Sequence, residues 1–360
     1  MQSWQSPKVD PIGEPSATSV PSWRDLRCPD CAGPLISSAA SREEDGAESL
    51  RCGACSRSFP VHDGIPRLLP AELQDALRSG PSGSVDGKLQ LATIRSFGFE
   101  WTRFPQMYSV WERNFLDYMS PHDPEFFAGK RVLDAGCGGG RHAYYAAQYG
   151  AEVWAVDVSN AAEVARSNTR ECRGVHVVQA DLNRLPFVPE SFDLIYSFGV
   201  LHHLEHPEAS LQRILAYLRP GGEVRIFVYW APERQPIKRA LLSITTTIRK
   251  ITTKLPLAMV YMLSYPIAVL AWACFVLPYK MLRKVPFLRR IAEQLPMKQY
   301  AGYPFRVCIC DQFDRLSAPI EKRYTRAEVG AWFRRAGLID ICVLENFGWV
   351  ASGRKPGECE

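Results

Sequence analysis

A chain of 360 residues is long enough for one large domain with a smaller unit, or for two comparable ones, at roughly 100 to 200 residues per domain. Hydrophobic residues at 46% and charged residues at 22% exclude collagen-like, wholly disordered and multi-span membrane chains. The net charge of +5 hides an uneven distribution: residues 234–292 hold 11 Lys or Arg and no Asp or Glu, while the rest carries 32 bases against 38 acids.

Residues 1–22, rich in Pro and Ser and without periodicity, read as a disordered tail. They lack the apolar run of a secretory signal, and eleven scattered cysteines do not make a closed disulfide framework, so a reducing, cytoplasmic setting is expected. Residues 23–70 form a compact segment with two Cys pairs, interrupted by a polar stretch from Ser37 to Ser49 that should loop out. Cys28-Pro29-Asp30-Cys31, a spacer of 20 residues and Cys52-Gly53-Ala54-Cys55 have the spacing of a four-sulfur zinc site. Two thiolates in one tight turn share the metal, and two such turns close its shell, leaving a structural ion that does not need His62. Residues 71–88, with a Gly/Ser-rich patch from Ser79 to Gly87, read as a linker to a domain over residues 89–360.

From Lys130 the chain repeats strand, glycine turn, helix, strand, the pattern of an α/β sheet with crossover helices. Short apolar runs predict strands at Arg131 to Asp134, Glu152 to Asp157, Val175 to Gln179, Phe192 to Ser197 and Glu223 to Tyr229. Gly150 should stop the first helix, and Asn160 with Glu163 should form a capping box on the second. Later, Thr325 with Glu328 predicts another capping box, Val329, Trp332, Phe333 and Ala336 a buried stripe, and Gly337 the stop. Strands should follow at Ile339 to Glu345 and Phe347 to Ser352.

Val132-Leu133-Asp134-Ala135-Gly136-Cys137-Gly138-Gly139-Gly140 puts an acid at a strand end and glycines in the next turn, where the backbone can approach a ligand without a Cβ. A dinucleotide fingerprint fits poorly, because its third glycine position is Arg141. The stretch resembles motif I of the class I S-adenosylmethionine-dependent methyltransferases. The likeness extends through Asp157, 21 residues after Gly136, through Gln179-Ala180-Asp181-Leu182, through Phe192 to Phe198, and through Leu218-Arg219-Pro220-Gly221-Gly222 before the fifth strand. It covers about Phe97 to Ser352 and implies a Rossmann-like, seven-stranded methyltransferase sheet that binds S-adenosylmethionine. By that resemblance Gly136, Gly138 and Gly140 cradle the cofactor, Asp157 takes the ribose hydroxyls, Asp181 the adenine amino group, and Leu182 and Ser197 line the site. Asp134 either shapes the loop or meets the methionine amine. The run from Phe59 to Leu69 resembles the small zinc-ribbon family whose separate members activate tRNA and release-factor methyltransferases, here fused in cis.

Methyl transfer from a sulfonium needs alignment first, and a base only where the acceptor holds its proton tightly. His202 and His203, after the fourth strand, are candidate bases or simply packed rings. A His202/His206 metal pair lacks a third ligand. The aromatics of Ser96 to Phe104 either cap the cofactor or pack the core. About 95 residues separate the fifth strand from Thr325, with a helical insertion at about 232–300 and, within it, 25 uncharged residues from Leu255 to Tyr279. Pro266 should split that run into pieces of about 14 to 18 Å as helix, too short for a ~30 Å hydrocarbon core. The run then dips into a membrane face through residues 236–292, forms a lid, or is a buried subdomain or dimer face. Asp311, Phe313, Asp314 and Tyr324 are candidates for lining an acceptor pocket. The sequence favours a methyltransferase with structural zinc acting on an apolar, lipid-linked or saccharide-type small-molecule acceptor, peripheral at the inner face of the membrane. An RNA methyltransferase and a noncatalytic cofactor-binding scaffold are the alternatives; nucleic acid fits less well because the basic insertion is aliphatic, not aromatic.

Overall fold

The computed structural model describes residues 23–37, 48–79, 85–232 and 236–357. The expected tail and residues 38–47 of the expected loop lie outside them.

The strands are β1 (Leu35–Ser37), β2 (Ser49–Cys52), β3 (Ser58–His62), β4 (Ile65–Leu68), β5 (Arg131–Ala135), β6 (Glu152–Asp157), β7 (Val175–Ala180), β8 (Phe192–Phe198), β9 (Leu218–Val228), β10 (Ile339–Glu345) and β11 (Trp349–Arg354). They hydrogen-bond in the order β1-β2-β3-β4-β7-β6-β5-β8-β9-β11-β10. The run from β7 to β10 is the expected seven-stranded sheet, parallel except where β11 lies antiparallel between β9 and β10. The whole sheet has eleven strands and not seven, because β4 adds in parallel to the edge of β7, with Leu68 opposite Ala180. That pairing uses backbone groups that an open edge would leave to solvent or to another chain.

The predicted strands are present with small shifts. The Leu218 to Gly222 turn is a bulge inside β9: Phe192 pairs with Leu218, and Leu194 already with Glu223. The last strand starts at Trp349, two residues later than expected. Along the central strands, Val132, Val153 and Val177 face one side while Leu133, Trp154 and Val178 face the other. Both faces are therefore apolar, which is why these strands read as unbroken apolar runs.

The helices are α1 (Ala71–Ser79), α2 (Val85–Arg103), α3 (Val110–Met119), α4 (Arg141–Gln148), α5 (Ala161–Asn168), α6 (Pro207–Leu215), α7 (Pro236–Thr252), α8 (Leu257–Ala271), α9 (Leu277–Leu282), α10 (Arg289–Ala292), α11 (Phe305–Ser317) and α12 (Arg326–Arg335). Phe115 and Met119 of α3 and the alanines of α4 and α5 cover one sheet face. Leu211 and Ile214 of α6, Trp332 and Phe333 of α12, and Leu26, Leu50 and Phe59 of the cysteine-bearing segment share the other. The described part of the expected linker is helical: residues 71–79 are α1, and α2 begins at Val85.

Two local expectations are corrected. Asn160 makes no cap hydrogen bond; the hydroxyl of Ser159 instead accepts from the Ala161 N–H at 3.1 Å. Pro266 does not divide the apolar run: α8 continues through a π-turn at Trp272–Val276 into α9, one helix of 26 residues from Leu257 to Leu282 with mean hydropathy 2.0. By length and composition it could cross a membrane. The Thr325/Glu328 capping box forms in both directions, as expected.

Candidate active site and metal centre

The glycine loop leaves β5 and enters α4, pinned by the N–H groups of Gly136 and Cys137 donating to the Val156 carbonyl at 2.8 and 2.9 Å. Gly136 and Gly140 have φ of +89° and +77°, where a side chain is strained. Space is also lacking: a Cβ on Gly136 would lie 2.4 Å from a Val200 methyl, and one on Gly140 2.9 Å from Ala165 Cα. Gly138 likewise abuts the Trp101 ring.

Three acids stand at the carboxyl ends of the neighbouring strands β5, β6 and β7, where ligands of α/β sheets bind. Asp134 is 2% exposed, and its Oδ2 has no hydrogen-bond partner; the hydroxyl of the neighbouring Tyr196 has none either. Burial pushes this carboxyl up to about 8, and the nearby Asp157 charge adds to the shift. Asp157 clamps the loop: Oδ2 accepts from Gly138 N–H at 3.0 Å, and Oδ1 accepts from the Ser159 N–H and hydroxyl at 2.8 and 2.7 Å. Burial raises its carboxyl too, against those hydrogen bonds. Asp181 accepts from the backbone and side-chain nitrogens of Asn183 at 2.9 and 3.1 Å, and Leu182 next to it is buried. Ser197 is buried on β8 with its hydroxyl donating to the Ala135 carbonyl at 2.8 Å, so its side chain ties the loop's base to the sheet.

An orphaned buried carboxylate oxygen beside a loop whose glycines leave no room for a side chain, with two further acids on adjacent strand ends, fits S-adenosylmethionine. Asp134 offers an acceptor to an ammonium group, and Asp157 and Asp181 offer oxygens to hydroxyl and amino donors.

Above this edge lie α2 and α11. The Ser96 to Phe104 aromatics divide between the two expected roles. Trp101 covers Gly138 and Gly139, whereas Phe99 and Phe104 pack on Phe313 and Tyr261. The Arg141 guanidinium lies 4.4 Å from the Trp111 ring centroid and 5.4 Å from that of Trp101. A shallow cleft opens here between Trp101, Tyr108, Trp111, Arg141, Cys310 and Asp311.

Deeper under α11, Tyr229 donates its hydroxyl to Asp314 Oδ2 at 3.1 Å and leaves the buried Oδ1 without a partner. Glu100 of α2 accepts from the Cys310 thiol at 3.2 Å, and its other oxygen is likewise unpartnered. Burial, reinforced by the Asp314 charge, holds the Glu100 carboxyl well above the usual range; burial also raises Asp314 and Asp311. Of the two histidines, His202 is fully buried, unpartnered at both nitrogens, 3.9 Å from the Tyr229 ring, and kept neutral by desolvation. His203 packs edge-on to Phe97 and its Nδ1 is 2.7 Å from the Ile320 carbonyl, which fixes the proton on Nδ1. His206 points outward and faces Glu205, so no His202/His206 pair forms.

Asp311 lines the cleft, whereas Asp314, on the same helix, is buried against Tyr229, with Phe313 packed in the aromatic wall between them. Tyr324 lies apart, against Trp332 of α12 at 4.5 Å. Glu100, Arg141 and Tyr229 carry no expectation of their own from the sequence. Glu100 has one signal, an acid among the aromatics of Ser96 to Phe104; Tyr229 has none.

In the N-terminal segment the four sulfurs of Cys28, Cys31, Cys52 and Cys55 lie within 4.8 Å of one another, with Cys31 to Cys52 at 3.4 Å and Cys28 to Cys55 at 3.7 Å. A tetrahedral zinc with bonds of ~2.3 Å needs sulfur separations of about 3.8 Å, so the donor set fits that ion. The N–H groups of Ala54 and Cys55 point at the Cys52 sulfur at 3.4 Å, donors that would steady a thiolate there.

Residues 133–226 match the family described as Methyltransferase domain, and residues 26–64 the family described as Trm112p-like protein. Among curated relatives, the ubiquinone biosynthesis O-methyltransferase of Xylella fastidiosa is 38% identical over 117 residues, 31% of this chain and 46% of the relative. The tRNA U34 carboxymethyltransferase of Trichlorobacter lovleyi is 29% identical over 180 residues, 45% of this chain and 54% of the relative. The chain therefore spans about half the length of these relatives. Among solved structures, the 1,6-didemethyltoxoflavin-N1-methyltransferase of Burkholderia thailandensis aligns with a TM-score of 0.44 at 16% identity, covering 84% of this chain and 97% of that one. Residues 133–226, with their glycine loop and strand-end acids, thus form a methyltransferase domain, joined in one chain to a Trm112p-like segment over residues 26–64.

Proposed function

We propose that this chain transfers a methyl group from S-adenosylmethionine to an apolar, lipid-linked or saccharide-type small-molecule acceptor at a membrane face, with a structural zinc in its N-terminal segment. The observation that carries the reading is the orphaned Asp134 oxygen beside the glycine loop, in line with Asp157 and Asp181. The bound sulfonium supplies an already activated methyl group. Asp157 and Asp181 orient the donor, Asp134 holds its ammonium, and Trp101 covers the loop against water. Asp314, held by Tyr229 on one oxygen with its other buried oxygen left without a partner, is the acid we assign as the base for an acceptor hydroxyl, and burial raises its pKa toward that role. His203 is held by its Nδ1 on the Ile320 carbonyl, and buried His202 braces the Tyr229 ring. The apolar α8 supplies Tyr261 to the aromatic wall, which suits an acceptor with a greasy part.

A second reading, methyl transfer to RNA, is favoured by the Trm112p-like segment, the name of the tRNA-modifying relative and the bases exposed on the insertion. Incubating the purified chain with methyl-labelled S-adenosylmethionine and either total lipid extract or total tRNA separates the two. Label should enter the lipid fraction and be lost with Asp314→Asn; label confined to tRNA would replace the first reading by the second.

A further inference from the structure

We propose that α7, α8, α9 and the turn after them seat the protein on an anionic lipid bilayer, lying along its surface without crossing it. This deepens the acceptor reading above and rests on it only for what the bilayer would supply.

Large apolar side chains face solvent along the whole insertion. Ile244, Ile248 and Ile251 form one stripe of α7 at helical spacing. Met262, Leu270 and Met281 are likewise exposed on the helix from Leu257 to Leu282, and Phe287 beyond them is 80% exposed. Only 28% of that helix's most apolar window is buried within the protein. An apolar surface of this extent marks a partner.

Charge decides which one. Lys250, Lys254, Arg283, Lys284, Arg289 and Arg290 are exposed on the same stretch of chain, and residues 234–292 contain no acid. Two copies joined through this face would press like charges together. Nucleic acid would satisfy the bases but leave the isoleucines and methionines in water. An anionic bilayer takes both, the apolar stripes below its headgroups and the bases among them.

The helix is long enough to cross a bilayer, yet its other face is committed. Val260 and Ala268 are buried in the cluster that holds Val307 and Phe313 of α11, the helix that also carries Asp311, Asp314 and Arg315. A crossing would drag these charged groups into hydrocarbon, so the helix lies along the interface. Tyr261 on the inner side touches Phe99, Phe104 and Phe313, so the seat backs directly onto the wall of the acceptor region.

The test is flotation of the full, zinc-loaded chain with vesicles of phosphatidylcholine alone or with about 30% phosphatidylglycerol. The protein should float with the anionic vesicles, and the bound fraction should fall by at least about tenfold in Lys250→Glu/Lys254→Glu and in Met262→Asp/Leu270→Asp. Circular dichroism and S-adenosylhomocysteine binding confirm that each variant is folded. Failure of the folded wild type to float overturns the seat. So does binding that about 0.5 M NaCl abolishes but Met262→Asp/Leu270→Asp leaves intact, since that is charge attraction alone. So does a dimer in light scattering that Met262→Asp/Leu270→Asp dissolves, with no flotation. Flotation without S-adenosylhomocysteine binding would keep the seat and remove the methyltransferase reading.

Discussion

Asp134 concentrates the conflict between burial and charge. Its folded carboxyl releases its proton only near pH 8, against about 4 when unfolded, so between those values the folded state holds the extra proton. Stability must therefore fall as pH rises through this window. The melting temperature of the ligand-free protein should drop from pH 5 to pH 8, and Asp134→Asn should flatten that slope; an equally steep slope in the variant would show that the burden lies on Glu100, Asp311 or Asp314. Trp101, packed on the glycine loop, should report the site optically: S-adenosylhomocysteine should change tryptophan emission, and Trp101→Phe should remove most of the change. The loop acids were legible because strand, acid and glycines follow within one short segment. Glu100 was not, because its partner Cys310 is 210 residues away and meets it only when α11 returns over the sheet edge.

At the scale of elements, caps show which local signals carry structure. Thr325 bonds the Glu328 N–H and Glu328 bonds back, so Thr325→Ala should cost about 1 kcal/mol in denaturant unfolding. Asn160→Ala should cost almost nothing, and Ser159→Ala more, because the hydroxyl of Ser159 holds both the helix start and Asp157. The Asn160 expectation failed because a neighbouring residue with the same chemistry won the position. The Pro266 expectation failed for another reason: proline removes one helix donor, but the packing of Val260, Ser264 and Ala268 on one face keeps the helix continuous through it.

Across the whole molecule, the metal segment and the methyltransferase sheet share one core. Leu26 pairs with Phe187, Arg27 donates to the Pro186 carbonyl at 2.8 Å, and β4 pairs with β7, so the segment grips both ends of the stretch that carries Asp181 and Leu182. No sequence signal foretold this, since strand addition depends on which edge is left open. The chain should bind about one zinc, and Cys52→Ser should lose it. Because the core is continuous, chelation should lower the single melting transition of the whole protein, not detach a separate small one. The most direct test of the central claim is calorimetric titration of the zinc-loaded chain with S-adenosylhomocysteine. One site per chain is expected, weakened about tenfold or more in Asp181→Ala, where a polar contact is lost and the fold is kept. A folded, zinc-loaded protein that gives no binding heat at any temperature, and no change in tryptophan emission or melting temperature, would contradict it.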